Sequence, residues 1–83
     1  MKLTIKYFGM IEEAVQKNEE FIEIKEPISV DELKNQLQNK YPSISDKNYQ
    51  IAVNQNISLG DIIITEDSEI ALLPPFAGGW NIC

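Results

Sequence analysis

Residues 29–42, SVDELKNQLQNKYP, carry the clearest helix signal in the chain. Ser29 and Glu32 form a capping box, in which each side chain bonds a backbone N–H that the first helical turn leaves unpaired. The Tyr-Pro pair at 41–42 ends the helix, because a residue before proline disfavours the helical conformation. Between these signals runs one apolar stripe with helical spacing, formed by Val30, Leu33, Leu37 and Tyr41.

Two alternating segments precede this helix. Residues 2–8 and 21–25 alternate apolar and polar side chains, which predicts two half-buried strands. We expect Leu3, Ile5 and Tyr7 to share the buried face of the first strand and Phe8 to lie on the opposite face. Between the strands we predict a short helix at 10–16, with Met10, Ile11, Ala14 and Val15 at helical spacing, and a polar turn at 17–20.

Further strands are predicted after the helix. Residues 49–53 and 69–73 have strand character, and the Asn-Gln-Asn sequence at 54–56 is typical of a turn. Residues 57–64 predict short strand fragments around a Gly-Asp turn. The order indicates an α+β domain with a mixed sheet of about five strands and one main helix across one face. The first and last strands are expected to lie side by side and parallel, because a helix-containing crossover separates them. This is a β-grasp (ubiquitin-like) arrangement.

Composition excludes several classes of function. The chain has 83 residues, enough for one domain, and a net charge of −6 with seven lysines and no arginine. That charge argues against binding nucleic acid. There is no histidine, and Cys83 is the only cysteine, so no metal site is predicted. No signal peptide or membrane span is recognised, and a cytoplasmic location with no membrane partner is expected.

The C-terminal sequence LLPPFAGGWNIC has the features of a projecting tail. Pro74 and Pro75 fix φ and donate no backbone hydrogen bond, so the sheet must release the chain there. Gly78 and Gly79 lack a Cβ and so suit a backbone that enters a narrow crevice. The alternative reading of two glycines near a terminus is ordinary fraying.

Three stretches resemble the MoaD/ThiS family of ubiquitin-like sulfur carriers. They are KLTIKYFGMIEEAV at the start, IAVNQNI at 51–57 and IALLPPFAGG at 70–79, and the resemblance covers residues 1–79. The double proline makes the chain most similar to the MoaD branch, the small subunits of molybdopterin synthase. The ThiS branch, which delivers sulfur to a different product, is the nearest alternative. A ubiquitin-like binding adaptor without carrier activity is a second alternative.

The resemblance implies roles for individual residues. Gly79 would be the site of the acyl-adenylate and the thiocarboxylate, and Gly78 would let the chain enter a partner's active site. Pro75, Phe76 and Ala77 would contact partners, although packing of Phe76 against its own sheet is an equal alternative. Apart from the resemblance, the outward-facing Phe8 is expected to form an apolar docking patch for partners with Met10 and Leu73. The implied partners are the large synthase subunit and an ATP-dependent, E1-like adenylating enzyme. The chain itself would bind no cofactor and would not be an enzyme on its own, because it lacks a catalytic constellation.

The chain departs from the family pattern after the second glycine. We expect residues 1–79 to form the carrier domain, with a flexible tail at 74–79, and residues 80–83 to form a C-terminal extension. An amide at Gly79 cannot be adenylated. Three readings stay open: removal by a processing protease, a remnant of cloning, or loss of the carrier role. Processing is the favoured hypothesis, since the PPFAGG sequence otherwise has no evident purpose.

Overall fold

The computed structural model describes residues 1–74 of the chain. This part of the sequence contains seven strands and two α-helices, with one 3-10 turn after the second helix. The elements, in chain order, are β1 (Lys2–Tyr7), α1 (Gly9–Val15), β2 (Glu19–Glu23), β3 (Ile28–Ser29), α2 (Val30–Lys40), the 3-10 turn Pro42–Ile44, β4 (Gln50–Val53), β5 (Asn56–Ile57), β6 (Ile63–Ile64) and β7 (Ser68–Leu73).

Five of the strands form one mixed sheet in the order β2-β1-β7-β4-β5. β1 and β7 are parallel neighbours at the centre, as predicted, with Ile5 opposite Ile70. The other three pairings are antiparallel. β3 and β6 make a separate two-stranded sheet, which the sequence patterns did not predict. The topology is that of the predicted β-grasp fold.

The core lies between the sheet and α2. Leu3, Ile5 and Tyr7 are buried on β1, as the alternation predicted, and Ile70 and Leu72 lie beside them on β7. α2 contributes the buried side chains of its predicted apolar stripe, Val30, Leu33 and Leu37. Its N-terminus has the predicted capping box, in which Glu32 N–H donates to Ser29 Oγ and Ser29 N–H donates to Glu32 Oε1. Local sequence and tertiary burial therefore agree on this helix.

Several predicted boundaries need correction. β2 begins at Glu19, two residues before the predicted start, because its antiparallel pairing with β1 continues to Lys6. The predicted turn at 17–20 is correspondingly shorter. Met10 is 52% exposed, so it does not share the buried face of α1 with Ile11 and Val15. The first strand ends at Tyr7, and Phe8 instead becomes the N-cap of α1.

Two further points concern the described part of the chain as a whole. None of its helices is both long and apolar enough to cross a membrane. The predicted tail beyond Pro74, the extension at 80–83 and the boundary between them lie outside the described residues.

Candidate functional site

The last described strand leads the chain out from the middle of the sheet. β7 lies between β1, which pairs with residues 68–72 of the strand, and β4, which pairs with residues 70–73. Phe8 N–H donates to the carbonyl of Leu72 at 3.3 Å. This bond holds the end of β7 against the start of α1. The exit at Leu73 and Pro74 therefore has a fixed origin at one end of the most interior strand.

Gly9 shapes this exit. It has φ +58°, a left-handed conformation that residues with a Cβ rarely adopt. A Cβ built on Gly9 would lie 2.8 Å from Cγ of Pro74, which is too close for a real contact. The ring of Pro74 therefore packs against the bare backbone of Gly9. The sequence marked Gly9 only as the end of a strand, and its contact with Pro74 depends on the parallel pairing of β1 and β7.

Beside the exit, the face of the sheet that points away from α2 carries a shallow groove of about 350 Å³, which we call the outer-face groove. Its side chains come from strands β1, β4 and β7, from the residue that follows β1, and from the β4–β5 turn. Phe8 is 41% exposed at this surface, whereas Ala52 is buried. The groove is lined by Lys6, Phe8, Ala52, Gln55, Glu69, Ala71 and Leu73.

One ion pair crosses this groove. Lys6 Nζ lies 2.8 Å from Glu69 Oε2, joining the parallel strands β1 and β7. The hydrogen bond and charge of Glu69 raise the pKa of Lys6 above its usual range. Both side chains are partly exposed, so the pair contributes little to stability. It places one positive and one negative group among the apolar side chains of the groove.

The β4–β5 turn closes one side of the groove. Asn54 and Gln55 have φ of 51° and 72°, the pattern of a two-residue type I′ hairpin turn. The side-chain oxygen Oδ1 of Asn54 accepts the backbone N–H of Glu69 at 2.9 Å, and Asn54 N–H donates to the carbonyl of Glu69 at 2.8 Å. The predicted turn at 54–56 thus also positions Gln55 and Glu69 in the groove.

A second polar cluster lies at the opposite face of the sheet, around Glu20. Tyr7 and Tyr41 each donate a hydrogen bond of 2.5 Å to Glu20 Oε1, and Lys40 Nζ donates to Oε2 at 2.7 Å. Burial by itself raises the pKa of Glu20, but the bonds from Lys40, Tyr41 and Tyr7 outweigh it and lower that pKa to about 2. Burial, aided by Glu20, raises the pKa of Tyr7.

This cluster is structural in form. It ties β1 and β2 to the C-terminal end of α2, and the rings of Tyr7 and Tyr41 meet edge to face at 5.9 Å between centroids. All the polar atoms have partners, so the carboxylate is held as a stable anion and is not poised to transfer a proton. Among residues 1–74, no three side chains of the metal-binding types come together as a ligand set.

The predicted site residues fall into two groups. Phe8 is described, and the structure brings it together with Leu73 in the outer-face groove, while Met10 does not line that groove. Pro75, Phe76, Ala77, Gly78 and Gly79 lie outside the described residues, so their roles stay predictions. Sequence reasoning missed the contributions of Lys6, Ala52, Gln55, Glu69 and Ala71. For Lys6, Ala52, Glu69 and Ala71, the available signal was their outward-facing position in the alternation of β1, β4 and β7, whereas Gln55 lies in the β4–β5 turn.

Comparison with known proteins bears on the whole chain. A model of the ThiS family matches residues 5–79. The molybdopterin synthase sulfur carrier subunit of Mycobacterium tuberculosis is 35% identical over 82 residues, which cover 95% of this chain and 99% of that protein.

Solved structures share the fold. A Pyrococcus furiosus protein described as a candidate molybdopterin converting factor, subunit 1, matches with a TM-score of 0.84 at 21% identity, over 92% of this chain and 99% of that one. A chain in the complex of subunits 1 and 2 of the molybdopterin-converting factor from Helicobacter pylori matches with a TM-score of 0.67 at 24% identity, over 95% and 100%. These similarities support the ubiquitin-like β-grasp topology described above.

Proposed function

Because this chain belongs to the ThiS family, we propose that it is a sulfur carrier and the small subunit of a molybdopterin synthase. The proposal rests on its 35% identity to the Mycobacterium tuberculosis sulfur carrier subunit over nearly the whole of both chains. The family match ends at residue 79, which supports the choice of Gly79 as the residue that carries sulfur.

The proposed chemistry takes place at the carboxylate of Gly79. A carboxylate is a poor electrophile, so it must be activated before sulfur can attack. An E1-like enzyme would join the carboxylate to the adenylyl group of ATP and release pyrophosphate. Sulfide-level sulfur from a donor would then attack the carbonyl carbon, the bond to AMP would break, and AMP would depart to leave a thiocarboxylate, which donates sulfur to a pterin precursor. ATP is bound by the partner in this scheme, and the carrier itself holds no cofactor.

The fold supports this role by the way it presents its C-terminus. β7 is held on both edges by β1 and β4, and Pro74 packs on Gly9. Beyond Pro74, five residues reach Gly79 and span at most about 17 Å when extended. A rigid origin followed by a short reach would deliver Gly79 into a partner's active site while the domain stays docked outside. Gly78 would pass where a side chain would clash.

The outer-face groove is the proposed docking surface for these partners. It lies beside the exit, and Phe8, Ala71 and Leu73 supply exposed or half-buried apolar surface. A partner bound there would sit next to the emerging tail, where Pro75, Phe76 and Ala77 could contact it. We assign the large synthase subunit and the adenylating enzyme to this same surface, which they would use in turn.

Residues 80–83 require a further step. The Gly79–Trp80 amide must be hydrolysed before Gly79 has a carboxylate, so we propose a processing protease. Cys83 would be lost with the extension. On this scheme the chain is a cosubstrate and a subunit, and the catalytic groups belong to its partners. A cytoplasmic location, where ATP is abundant, stays a prediction.

The direct test uses two versions of the chain with the adenylating enzyme, ATP and a sulfur donor. The chain truncated after Gly79 is expected to gain the mass of AMP in the absence of sulfur and the mass difference of one sulfur for one oxygen in its presence. The full-length chain is expected to gain neither, because its Gly79 carbonyl is an amide. Intact-mass spectrometry measures both outcomes.

A matched control is the chain truncated one residue earlier, after Gly78. It keeps every described contact and ends in a free glycine carboxylate that falls about 3.5 Å short. Slow or absent modification of this control would show that adenylation depends on the length of the tail between Pro74 and the terminal carboxylate. Modification of the full-length chain at Gly79, or no modification of the truncated chain by an enzyme active on its own carrier, would refute the proposal.

The acceptor can be tested separately. The thiocarboxylated chain, mixed with the large synthase subunit and the pterin precursor, is expected to yield molybdopterin. Because the matching model is that of the ThiS family as a whole, a carrier for a different sulfur-containing product is the second candidate. Failure with the large subunit combined with normal thiocarboxylation would favour that candidate.

A further inference from the structure

Phe8 lies between two grooves on the surface of the domain. One is the outer-face groove. The other, which we call the second groove, has a volume of about 290 Å³ and lies where α1 meets the end of β1 and the start of β2. Lys6 and Phe8 line both, so the two grooves adjoin at these side chains. The second groove is otherwise lined by Tyr7, Glu12, Asn18 and Glu19. Its size suits one side chain of a protein partner better than a small molecule.

The two grooves together carry an excess of negative charge. Their charged side chains are one lysine and three glutamates, namely Lys6, Glu12, Glu19 and Glu69. Glu19 lies opposite Lys6 in the β1–β2 register, yet the Lys6 ammonium bonds Glu69 at 2.8 Å. None of the ion pairs formed among residues 1–74 includes Glu12 or Glu19. The second groove therefore presents two exposed carboxylates whose charge that part of the chain leaves unpaired.

Phe8 also differs from the other accessible or half-buried aromatic side chains of residues 1–74. Lysine ammonium groups lie 5.0 to 5.6 Å from the ring centroids of Phe21, Tyr41 and Tyr49. The ring of Phe8 is 41% exposed and has no such cation within the described part of the chain. The face of an aromatic ring attracts a cation electrostatically. Phe8 thus offers a place for a cation from outside the chain, independently of the carboxylates beside it.

We propose that the second groove is a specificity site, which receives a cationic side chain of the large synthase subunit while an apolar side chain of the same partner fills the outer-face groove. On the proposed carrier function, on which this inference rests, the large subunit docks beside the tail and so meets Phe8. The net charge of −6 favours a basic partner surface. Arginine fits this groove better than lysine, because its planar guanidinium can stack on the Phe8 ring and donate two hydrogen bonds to a carboxylate.

The two carboxylates of the second groove can be changed without disturbing the core. Unlike Glu20, which three donors hold in its cluster, Glu12 and Glu19 are exposed. Glu12 lies in the first turn of α1, where a carboxylate is attracted weakly to the positive end of the helix dipole. That attraction would act on stability. A change in affinity at unchanged stability would therefore report a contact with the partner.

Titration calorimetry with the large synthase subunit tests the proposal, with each variant made in the full chain and in the chain ending at Gly79 and compared with its own parent. Glu12→Gln and Glu19→Gln each remove one charge and should weaken binding about fivefold at about 50 mM salt, with a loss below about twofold at about 500 mM. Glu13→Gln, next to Glu12 on α1, and Glu23→Gln, on the same strand as Glu19, line neither groove and should keep the parent affinity. Thermal unfolding of all four variants checks their stability.

A double-mutant cycle tests whether the ring and the carboxylate contact one cation. Phe8→Leu keeps an apolar side chain but removes the aromatic face. If one guanidinium touches both groups, Glu12→Gln should weaken binding about twofold or less in the Phe8→Leu background, instead of about fivefold. Phe21→Leu makes the same change at a ring that lines neither groove. In that background, Glu12→Gln should cause its full loss of affinity.

Three results would overturn the proposal. One is an equal effect of Glu12→Gln and Glu13→Gln on affinity. Another is an affinity of the unsubstituted chain that does not fall with salt, which excludes a charged contact even if a variant fails to fold. The third is slower adenylation at unchanged affinity for the large subunit, which would assign the cation to the adenylating enzyme. No binding of the unsubstituted chain would refute the proposed function itself, whereas normal binding that ignores Glu12 and Glu19 refutes this contact alone.

Discussion

The two faces of the five-stranded sheet are built from the same alternating strands, but one face is buried in the core and the other is accessible to solvent. On the inner face, Leu3, Ile5, Tyr7, Ile70 and Leu72 are essentially inaccessible to water. On the outer face, Lys6, Phe8, Ala71 and Leu73 are exposed or half-buried and line a shallow groove. Adjacent residues of one strand, such as Leu72 and Leu73, therefore belong to different surfaces.

The difference shows where stability and recognition are separated in this domain. The inner face is complete within residues 1–74, because α2 covers it and the Glu20 cluster fastens the end of that helix. The outer face has no helix over it in that part of the chain. Substitutions on the inner face should act on unfolding, and substitutions on the outer face should act on binding.

The largest expected effect comes from Leu72 and its neighbour Leu73. Leu72→Ala removes a fully buried side chain from the central strand and should lower the free energy of unfolding by about 3 kcal/mol. Leu73→Ala deletes the same atoms from the outer face and should cost less than about 1 kcal/mol. Urea denaturation of both variants measures the difference. Equal losses would mean that the two faces are not energetically distinct.

The next effect concerns the pH dependence set by Glu20. Its pKa in the folded protein is about 2, below the ordinary 4.5, so its contribution is present above pH 4.5 and lost as the pH falls toward 2. Glu20→Gln should lower the free energy of unfolding by about 1–3 kcal/mol at pH 7. It should also flatten the decline in stability between about pH 5 and pH 2.

A neighbouring carboxylate supplies the control for this prediction. Glu19→Gln changes the same charge on the same strand, but the side chain is exposed and takes no part in the Glu20 cluster. Its stability profile against pH, measured by thermal unfolding, should follow that of the wild type. A Glu20→Gln profile as steep as that of Glu19→Gln would show that other groups cause the acid sensitivity.

On the outer face, Phe8→Ala should weaken binding of the large synthase subunit by about tenfold, because an exposed aromatic side chain in a groove is a typical binding anchor. Its effect on the free energy of unfolding should stay below that of Leu72→Ala. Phe21→Ala, an exposed phenylalanine outside the groove, is the matched control. Titration calorimetry distinguishes them, and equal affinities would exclude Phe8 from the docking surface.

The smallest expected effect comes from Gly9, which packs against Pro74 where the chain leaves β7. Gly9→Ala forces a Cβ into a left-handed backbone and against Pro74, which should cost about 1 kcal/mol of stability. Because the contact aims the chain leaving β7, the truncated variant should also be thiocarboxylated more slowly than its parent. An Ala14→Gly variant, which loosens α1 by a similar amount, should keep the parent rate.

Much of the fold was readable from sequence because its signals are local. The capping box at Ser29 and Glu32, the stripe of α2 and the alternation of β1 all depend on residues a few positions apart. Boundaries such as the start of β2 were wrong because they depend on how far β1 pairs with it. The two-stranded sheet of β3 and β6 joins segments too short for any periodicity.

The candidate site divides in the same way. Phe8 was predicted to face outward from the alternation of β1, and it does line the outer-face groove. Lys6, Ala52 and Glu69 were not predicted to join it, because they come from three strands whose order in the sheet sets their distance. The clustering of Tyr7, Glu20 and Tyr41 was hidden for a related reason: each looks like an ordinary strand or helix residue in sequence.

By itself, the sequence determined the main helix, the strands of the five-stranded sheet, the β-grasp class, the family and the chemical character of the C-terminus, since each depends on residue identity and short-range spacing. Only the tertiary structure decided which side chains meet: Pro74 on Gly9, Lys6 with Glu69, and three donors around Glu20. The physical reason is that propensity and periodicity act along the chain. Contacts across strands depend on register, burial and the desolvation of charge, which exist only once the sheet and helix have packed.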